Sequence, residues 1–283
     1  MNLWLECTIQ SYKGIYVITK NIIDTYIEQI PPAPEALKKT ISFLNAAELT
    51  KAAQAAQDDL ALSSYLKELV NKPIFGFKNE VSNISQIFGI LGVEKSQQAV
   101  YNYMITLLSP SKWKMFQLNR NSFYNLQADL SVNWQKILHH LNISDKEIHS
   151  AITLLPASIL VAEALFCQKK EDVNLLRSAS AIDLNTILQR LCAMDLFDIC
   201  QAISQKWEMD AKIGVIVQAA SGVKPADDEA INILGKWMHL LLFYTLSKPS
   251  YIEAGLNDFI DFQIDYVDDI YSEFAQVMER YLS

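Results

Sequence analysis

Apolar residues return at helical spacing along almost the whole chain, and this periodicity limits the folds open to it more than any other feature. Leu62, Leu66, Leu69 and Val70 form one stripe, Ile84, Ile87, Phe88 and Leu91 a second, and Val100, Tyr103, Met104 and Leu107 a third. The pattern resumes with Ile148, Ile152, Leu155, Ile159, Ala162 and Phe166, then Ile199, Ile203 and Trp207, then Ile213, Ile216 and Val217. Side chains three and four apart share one face of an α-helix, so each set prescribes a helix with a buried side. No convincing period-two alternation is present outside the ambiguous opening, Leu3 to Val17. Only 8 glycines and 8 prolines serve 283 residues, too few for the many tight turns of a sheet-rich sandwich. The expectation is an all-α chain of two packed helical subdomains.

Local punctuation sets the boundaries. Pro31 and Pro32 stop a helix running from Asn21 to Ile30, and Pro34 can sit in the first turn of the next. Asp58 or Asp59 can cap the helix that carries Leu62, and Asn71, Pro73 and Gly76 end it. Gly92 closes one short helix, and Ser109 with Pro110 closes another. Asn119, Arg120 and Asn121 lie in the least periodic stretch, which reads as a junction. Ser144 to Glu147 matches a capping box, Pro156 should break the helix that follows, and Gly222 with Pro225 precede a long helix from about Ala226 to Leu246. Ser250 to Glu253 offers a second capping box, for a final helix. The expected division is an extension over 1–19, an N-terminal helical subdomain over 20–110, a junction over 111–128, a second subdomain over 129–247 and an acidic amphipathic helix over 248–283.

A formal net charge of -8 with scattered lysines and arginines argues against a broad attraction to nucleic acid. Cys7, Cys167, Cys192 and Cys200 form no CxxC pair, so neither a zinc ribbon nor a disulfide framework is expected, and a reducing cytoplasm is the expected location. The longest apolar stretch is read at Trp237 to Leu246, short of the roughly 20 residues that cross a bilayer, so no membrane partner is expected.

One run of motifs is more specific. Ile30-Pro31-Pro32-Ala33-Pro34-Glu35 is followed by Asp59-Leu60-Ala61-Leu62, by Leu66, Leu69 and Asn71, by Phe75-Gly76-Phe77, and by Ile84, Ile87 and Leu91-Gly92. The order and spacing resemble the HDOD domain family, with its Pro-rich entry and its Asp-Pro-Ala-Leu, Leu-x-x-Ala-Asn-Ser, Tyr-Gly and Leu-Leu-Gly blocks. Leu60 and Lys72 depart from the proline and serine usual there. The resemblance extends less clearly through Ala151 to Ile159 and Cys200 to Ala220, covering roughly 20–245. It implies an HDOD-like helical domain, related to HD phosphohydrolases but without their metal site, in bacterial signalling.

The residues can be tested against that implication. Metal phosphohydrolysis needs imidazoles and carboxylates around a divalent ion. Neither His139, His140, His149 nor His239 is followed by aspartate. Where the family relationship would place a His-Asp pair, the chain has Pro156 and Ala157, and further along it has Ala219 and Ala220. No catalytic residue, metal or cofactor is therefore expected. His139 and His140 point about 100° apart on a helix and read as surface or helix-end residues. His149 and His239 read as structural histidines, and Trp113, Trp134, Trp207 and Trp237 as core or junction residues. Asn71 has two readings, a cap for the turn that follows or, with Phe75 and Phe77, part of a partner-binding surface. Asp258, Asp261, Asp265, Asp268 and Asp269 read as one acidic face opposite Ile260, Ile264, Val267, Ile270 and Tyr271, solvated or docked to a basic partner. The expected function is a non-catalytic binding module for a signalling partner (a kinase, a response regulator or a cyclic-dinucleotide protein) or for a nucleotide. The alternatives are self-association as a structural protein, and a divergent hydrolase using Asp195, Asp198 and His239.

Overall fold

The computed structural model describes residues 18–72 and 77–279 and is all-helical over them, with no strand among the described residues. The opening stretch Leu3 to Val17, Cys7, Phe75 and Gly76 lie outside the described residues. The chain separates into two compact units, one of 32–107 and the other joining 18–31 to 108–279.

In the smaller unit, α1 lies outside and the helices are α2 (Glu35–Asn45), α3 (Leu49–Gln57), α4 (Leu60–Val70) and α5 (Ile84–Thr106), where α1 is Lys20–Gln29. Of the two aspartates the sequence offers, Asp59 caps α4, its carboxylate accepting from the amides of Ala61 at 2.9 Å and Leu62 at 3.0 Å. Gly92 divides α5 into two helical segments through a positive φ of 72°, a conformation in which a side chain would be strained. Helices α2, α3 and α4 pack on α5, and residues 96–105 of α5 are buried without interruption.

The larger unit contains α1, α6 (Arg120–His140), α7 (Lys146–Ala151), α8 (Ala157–Phe166), α9 (Lys170–Ser180), α10 (Leu184–Cys192), α11 (Leu196–Lys206), α12 (Ala211–Ala219) and α13 (Glu229–Leu246). Short helices α14 (Pro249–Glu253), α15 (Ile264–Val267) and α16 (Tyr271–Glu279) complete it. Pro156 does interrupt the apolar run: a 3-10 turn over Ile152–Leu154 precedes it, and α8 starts at the next residue. Helix α12 lies against α7, α11 and α13, and α8 against α11. Trp134, Trp207 and Trp237 are buried, while half-buried Trp113 meets Phe123 at a ring-centroid distance of 5.5 Å.

Several sequence-based boundaries differ. Helix α1 belongs with the C-terminal part, because the Lys206 ammonium donates to the carbonyls of Ile27 (2.6 Å) and Glu28 (2.7 Å) and the Trp207 indole donates to that of Pro31 (2.9 Å). A cation at the end of a helix satisfies carbonyls that have no partner in the helix. The stretch read as a junction is fixed structure: Asn119 and Ser122 form a reciprocal capping box for α6, and Met115, Phe116 and Leu118 are buried. The N-cap of α7 is Asp145 rather than Ser144, its carboxylate accepting from the Glu147 amide at 3.0 Å.

The C-terminal acidic helix is three short helices. Gly255, at φ 83°, follows α14, and Ser250 and Glu253 fall inside that helix rather than opening a longer one. Without one helix there is no single acidic face: Asp269 pairs with Lys236 at 2.7 Å, Asp261 accepts from the Gln263 amide at 3.2 Å, and Ile264 and Tyr271 are exposed while Ile260 and Val267 are buried. Cys167 is disulfide-bonded, where the cysteine spacing predicts no disulfide, and Cys192 and Cys200 are free. The most apolar helical stretch lies over 146–179 rather than at Trp237 to Leu246; it is long and apolar enough to cross a membrane, but its apolar window is 94% buried within the protein.

Candidate functional site

The turn after α4 is organised by Asn71. Its amide group donates to the carbonyls of Lys67 (2.8 Å) and Val81 (2.9 Å), and its amide oxygen accepts from the Val81 N–H at 2.9 Å. The side chain thus pairs with both backbone groups of Val81, ten residues along the chain, as a neighbouring strand would. All three of these bonds are made to backbone. Phe77 is exposed at 42%, whereas Phe75 lies outside the described residues.

The residues that the family resemblance sets against a hydrolase's ligand positions lie in the larger unit and are apolar. Leu154, Leu155 and Ala157 are buried at the start of α8, and Ala219 and Ala220 are buried at the end of α12. Above Ala220 sits His239 of α13. Its Nδ1 lies 2.9 Å from the Ala220 carbonyl, and its Nε2 accepts from the Gln263 N–H at 3.2 Å. An acceptor on one side and a donor on the other assign the neutral tautomer protonated at Nδ1. Burial drives the pKa of this imidazole down to about 4, against the opposing effects of the Ala220 bond and the Asp261 charge. The ring packs among Phe243, Phe262 and Tyr266, with centroids 4.8, 5.5 and 5.8 Å away. Both ring nitrogens are committed to backbone, so this histidine holds α12, α13 and the 263 turn together.

A family model for the HDOD domain matches residues 30–222, more than half of the chain. The chain belongs to the HDOD domain family. Its fold is similar to an HDOD domain protein of unknown function from Geobacter sulfurreducens, at 14% identity and a TM-score of 0.61, covering 91% of this chain and 95% of that one. It is equally similar to a candidate phosphohydrolase from Shewanella amazonensis SB2B, at 15% identity and a TM-score of 0.61, with coverage of 91% and 97%. A candidate signal transduction protein from Marinobacter aquaeolei VT8 matches at 16% identity and a TM-score of 0.59, covering 91% of this chain and 60% of that one. At these identities the likeness is one of fold. No curated protein matches the sequence.

Two of the remaining histidines of this HDOD protein, His149 and His140, are also engaged. His149 lies 3.2 Å from both the Gln135 side-chain oxygen and the Ile143 carbonyl. His140 meets Glu273 of α16 at 2.7 Å and packs on Trp237, while His139 is exposed. Among the described residues, no group of three or more His, Cys, Asp or Glu side chains converges as metal donors.

Asp195 and Asp198 do form a polar centre, though apart from His239 in its bonding. They close a reciprocal capping box at the start of α11, the Asp198 amide donating to Asp195 at 2.7 Å and the Asp195 amide to Asp198 at 3.0 Å. Lys224 bonds Asp198 and lies 3.3 Å from Asp195, and the Gln218 amide donates to Asp198 at 2.6 Å. Burial, reinforced by the Asp198 charge, pushes the Asp195 carboxyl up. Burial acts on Asp198 in the same sense, but the bonds from Lys224, the backbone and Gln218 outweigh it and hold that carboxyl below its ordinary range. Lys224 and Gln218 were not singled out from the sequence; no spacing rule ties a loop lysine to an acid 26 residues earlier.

Glu163 was also overlooked. It is buried in α8, and its carboxylate accepts from three successive backbone amides: Lys114 at 2.6 Å, Met115 at 3.0 and 2.9 Å, and Phe116 at 3.0 Å. Successive N–H groups of this kind make an anion-binding concavity, here filled by the protein itself.

Proposed function

We propose that this HDOD protein is a non-catalytic regulatory module, acting in signal transduction by binding a partner rather than by turning over a substrate. One observation carries the reading. The positions that a related metal hydrolase would use are Pro156, Ala157, Ala219 and Ala220, and their side chains offer no atom that can ligate an ion or move a proton. The imidazole beside Ala220 supports the same reading, since its two nitrogens are engaged by backbone and its low pKa keeps it uncharged near neutrality. The exposed Phe77 beside the Asn71-closed loop is the proposed contact point for a signalling protein, with Asn71 holding the loop in shape.

The test is metal analysis of the purified chain, combined with thermal unfolding in the presence of manganese, magnesium or zinc and a generic phosphodiesterase assay. A ligand that binds the native state must raise its apparent stability. The expected result is no stoichiometric metal, no thermal shift and no turnover. About one ion per chain together with metal-dependent turnover would overturn the reading, because a hydrolytic centre would then exist elsewhere in the chain.

A further inference from the structure

We propose that the cleft between one face of α9 and the 254–258 turn is a binding site for a small phosphorylated ligand. The cleft encloses about 240 Å³ and lies wholly within the larger unit. That is below the range of about 300–1,000 Å³ usual for drug-sized ligands, so it suits a phosphate group with a small organic remainder.

The lining explains the choice of an anion. Lys170, Asn174 and Arg177 stand four and three residues apart on α9, which puts all three on one helix face, and each lines the cleft. The opposite wall contains Gln117, Asn257 and the open backbone at Gly255, where an added Cβ would meet nothing within 4 Å. The Gln117 N–H donates to the Ala254 carbonyl at 2.9 Å, tying the two segments of that wall together.

Neither cation has a carboxylate partner among the described residues. The Arg177 guanidinium donates to the backbone carbonyl of Asp258, a neutral acceptor, and Lys170 makes no ion pair, the carboxylate of Asp172 being taken by Lys169 at 3.5 Å. A guanidinium has five donors, so Arg177 retains a fork that can face a phosphate oxygen pair. Burial also lowers the Arg177 pKa, against the pull of Asp258 and Asp183, the mark of a cation partly stripped of water. Asp258 is the one carboxylate on the lining, and its Oδ2 accepts from Asn257 at 2.8 Å. Two cations against one carboxylate leave the concavity positive within a chain of net charge -8. An incoming phosphate would recover the solvation that the half-buried guanidinium has lost, while the amides of Asn174, Gln117 and Asn257 could bond the remainder of the ligand.

The site is independent of the partner-docking reading, and its test uses neither metal nor turnover. Inorganic phosphate, phosphoserine and acetate are titrated into the full chain at matched ionic strength, with binding read by calorimetry and by thermal shift. Phosphate and phosphoserine should saturate with dissociation constants below about 10 mM, and acetate should bind more weakly. Lys170→Gln, which breaks no bond among the described residues, should keep the melting temperature of the free protein and weaken phosphate about tenfold, the value of one charge-assisted hydrogen bond. Arg177→Gln should weaken it at least as much. No saturable phosphate binding, unchanged affinity in Lys170→Gln, or acetate binding as tight as phosphate would overturn the proposal.

Discussion

Replacing Glu163 is the sharpest test of what holds the larger unit together. Its carboxylate takes all three N–H groups of Lys114, Met115 and Phe116, at 2.6 to 3.0 Å, and among the described residues no cation is bonded to it. In Glu163→Gln one oxygen survives, while the new amide NH₂ faces at least one backbone N–H, donor against donor. A lost charge-assisted bond is worth about 1.5–3 kcal/mol, and a buried donor without a partner costs about 1–3 kcal/mol more. The expected loss for Glu163→Gln is therefore about 3 kcal/mol. Glu163→Ala strands all three donors and should cost about 4–5 kcal/mol, in line with removing one side of a buried charged interaction.

Native domains of this kind have only about 5–15 kcal/mol in hand, so both variants should be readily distinguished. Urea unfolding at pH 7.5, followed by circular dichroism and tryptophan fluorescence, should show a lower midpoint with an unchanged slope, because the surface exposed on unfolding stays the same. The backbone amides of Met115 and Phe116 should also lose hydrogen-exchange protection. A loss below about 0.5 kcal/mol for Glu163→Gln would show that water or a relaxed loop supplies the missing acceptors, and the argument for an internal anion site would fail.

Three further outcomes follow from the same accounting. His239 has a folded pKa depressed from 6.5 to about 4, so the neutral ring is favoured on folding: its contribution is complete above pH 6.5 and fades as pH falls from 6.5 to 4. The shift corresponds to about 3 kcal/mol, and urea titrations at stepped pH should show this loss in the wild type and its absence in His239→Gln. Ala193 occupies the left-handed C-cap of α10 at φ 57°, so Ala193→Gly should raise stability by about 0.5–1 kcal/mol in thermal unfolding; a decrease would show that the side chain packs usefully. Asn71→Ala removes three bonds to backbone and should cost about 1–2 kcal/mol while abolishing exchange protection at the Val81 amide; retained protection would mean that the loop is closed by other contacts.

The legible part of this protein is what repeats within a few residues. Helical stripes such as Leu62-Leu66-Leu69, the Asp59 cap and the Pro156 break are written in local spacing, and each is found in place. The boundaries that went astray were decided by contacts between distant residues. Nothing in Lys20–Gln29 announces that Lys206 and Trp207 will cap its carbonyls, some 176 to 179 residues later. The acidic C-terminal pattern has true helical spacing, yet the chain turns at Gly255 and spends its apolar residues on burial in separate short helices. Periodicity reports which residues could share a face; whether one helix spans them depends on the volume left beside α13 and α6, against which α15 and α16 pack.

The same distinction governs the candidate sites. The chemistry open to a single position can be read in sequence because residue type alone decides it: proline and alanine have no ligating side-chain atom, wherever they lie. A binding cleft is seen only when the fold brings its parts together. Lys170 and Arg177 look like ordinary surface charges of an amphipathic helix, and their distinction is that the two of them meet a single lining carboxylate, Asp258, where the 254–258 turn forms a wall. Glu163 marks the contrasting case, an anion-binding backbone concavity already filled from within. Its neighbour Met115 lines the cleft as well as binding that carboxylate, so the two features share a structural support. Glu163→Gln should therefore weaken phosphate binding even though Glu163 does not line the cleft, whereas Lys170→Gln should weaken it with no change in stability. Loss of stability and loss of affinity would then separate the residue that builds the wall from the residue that faces the ligand.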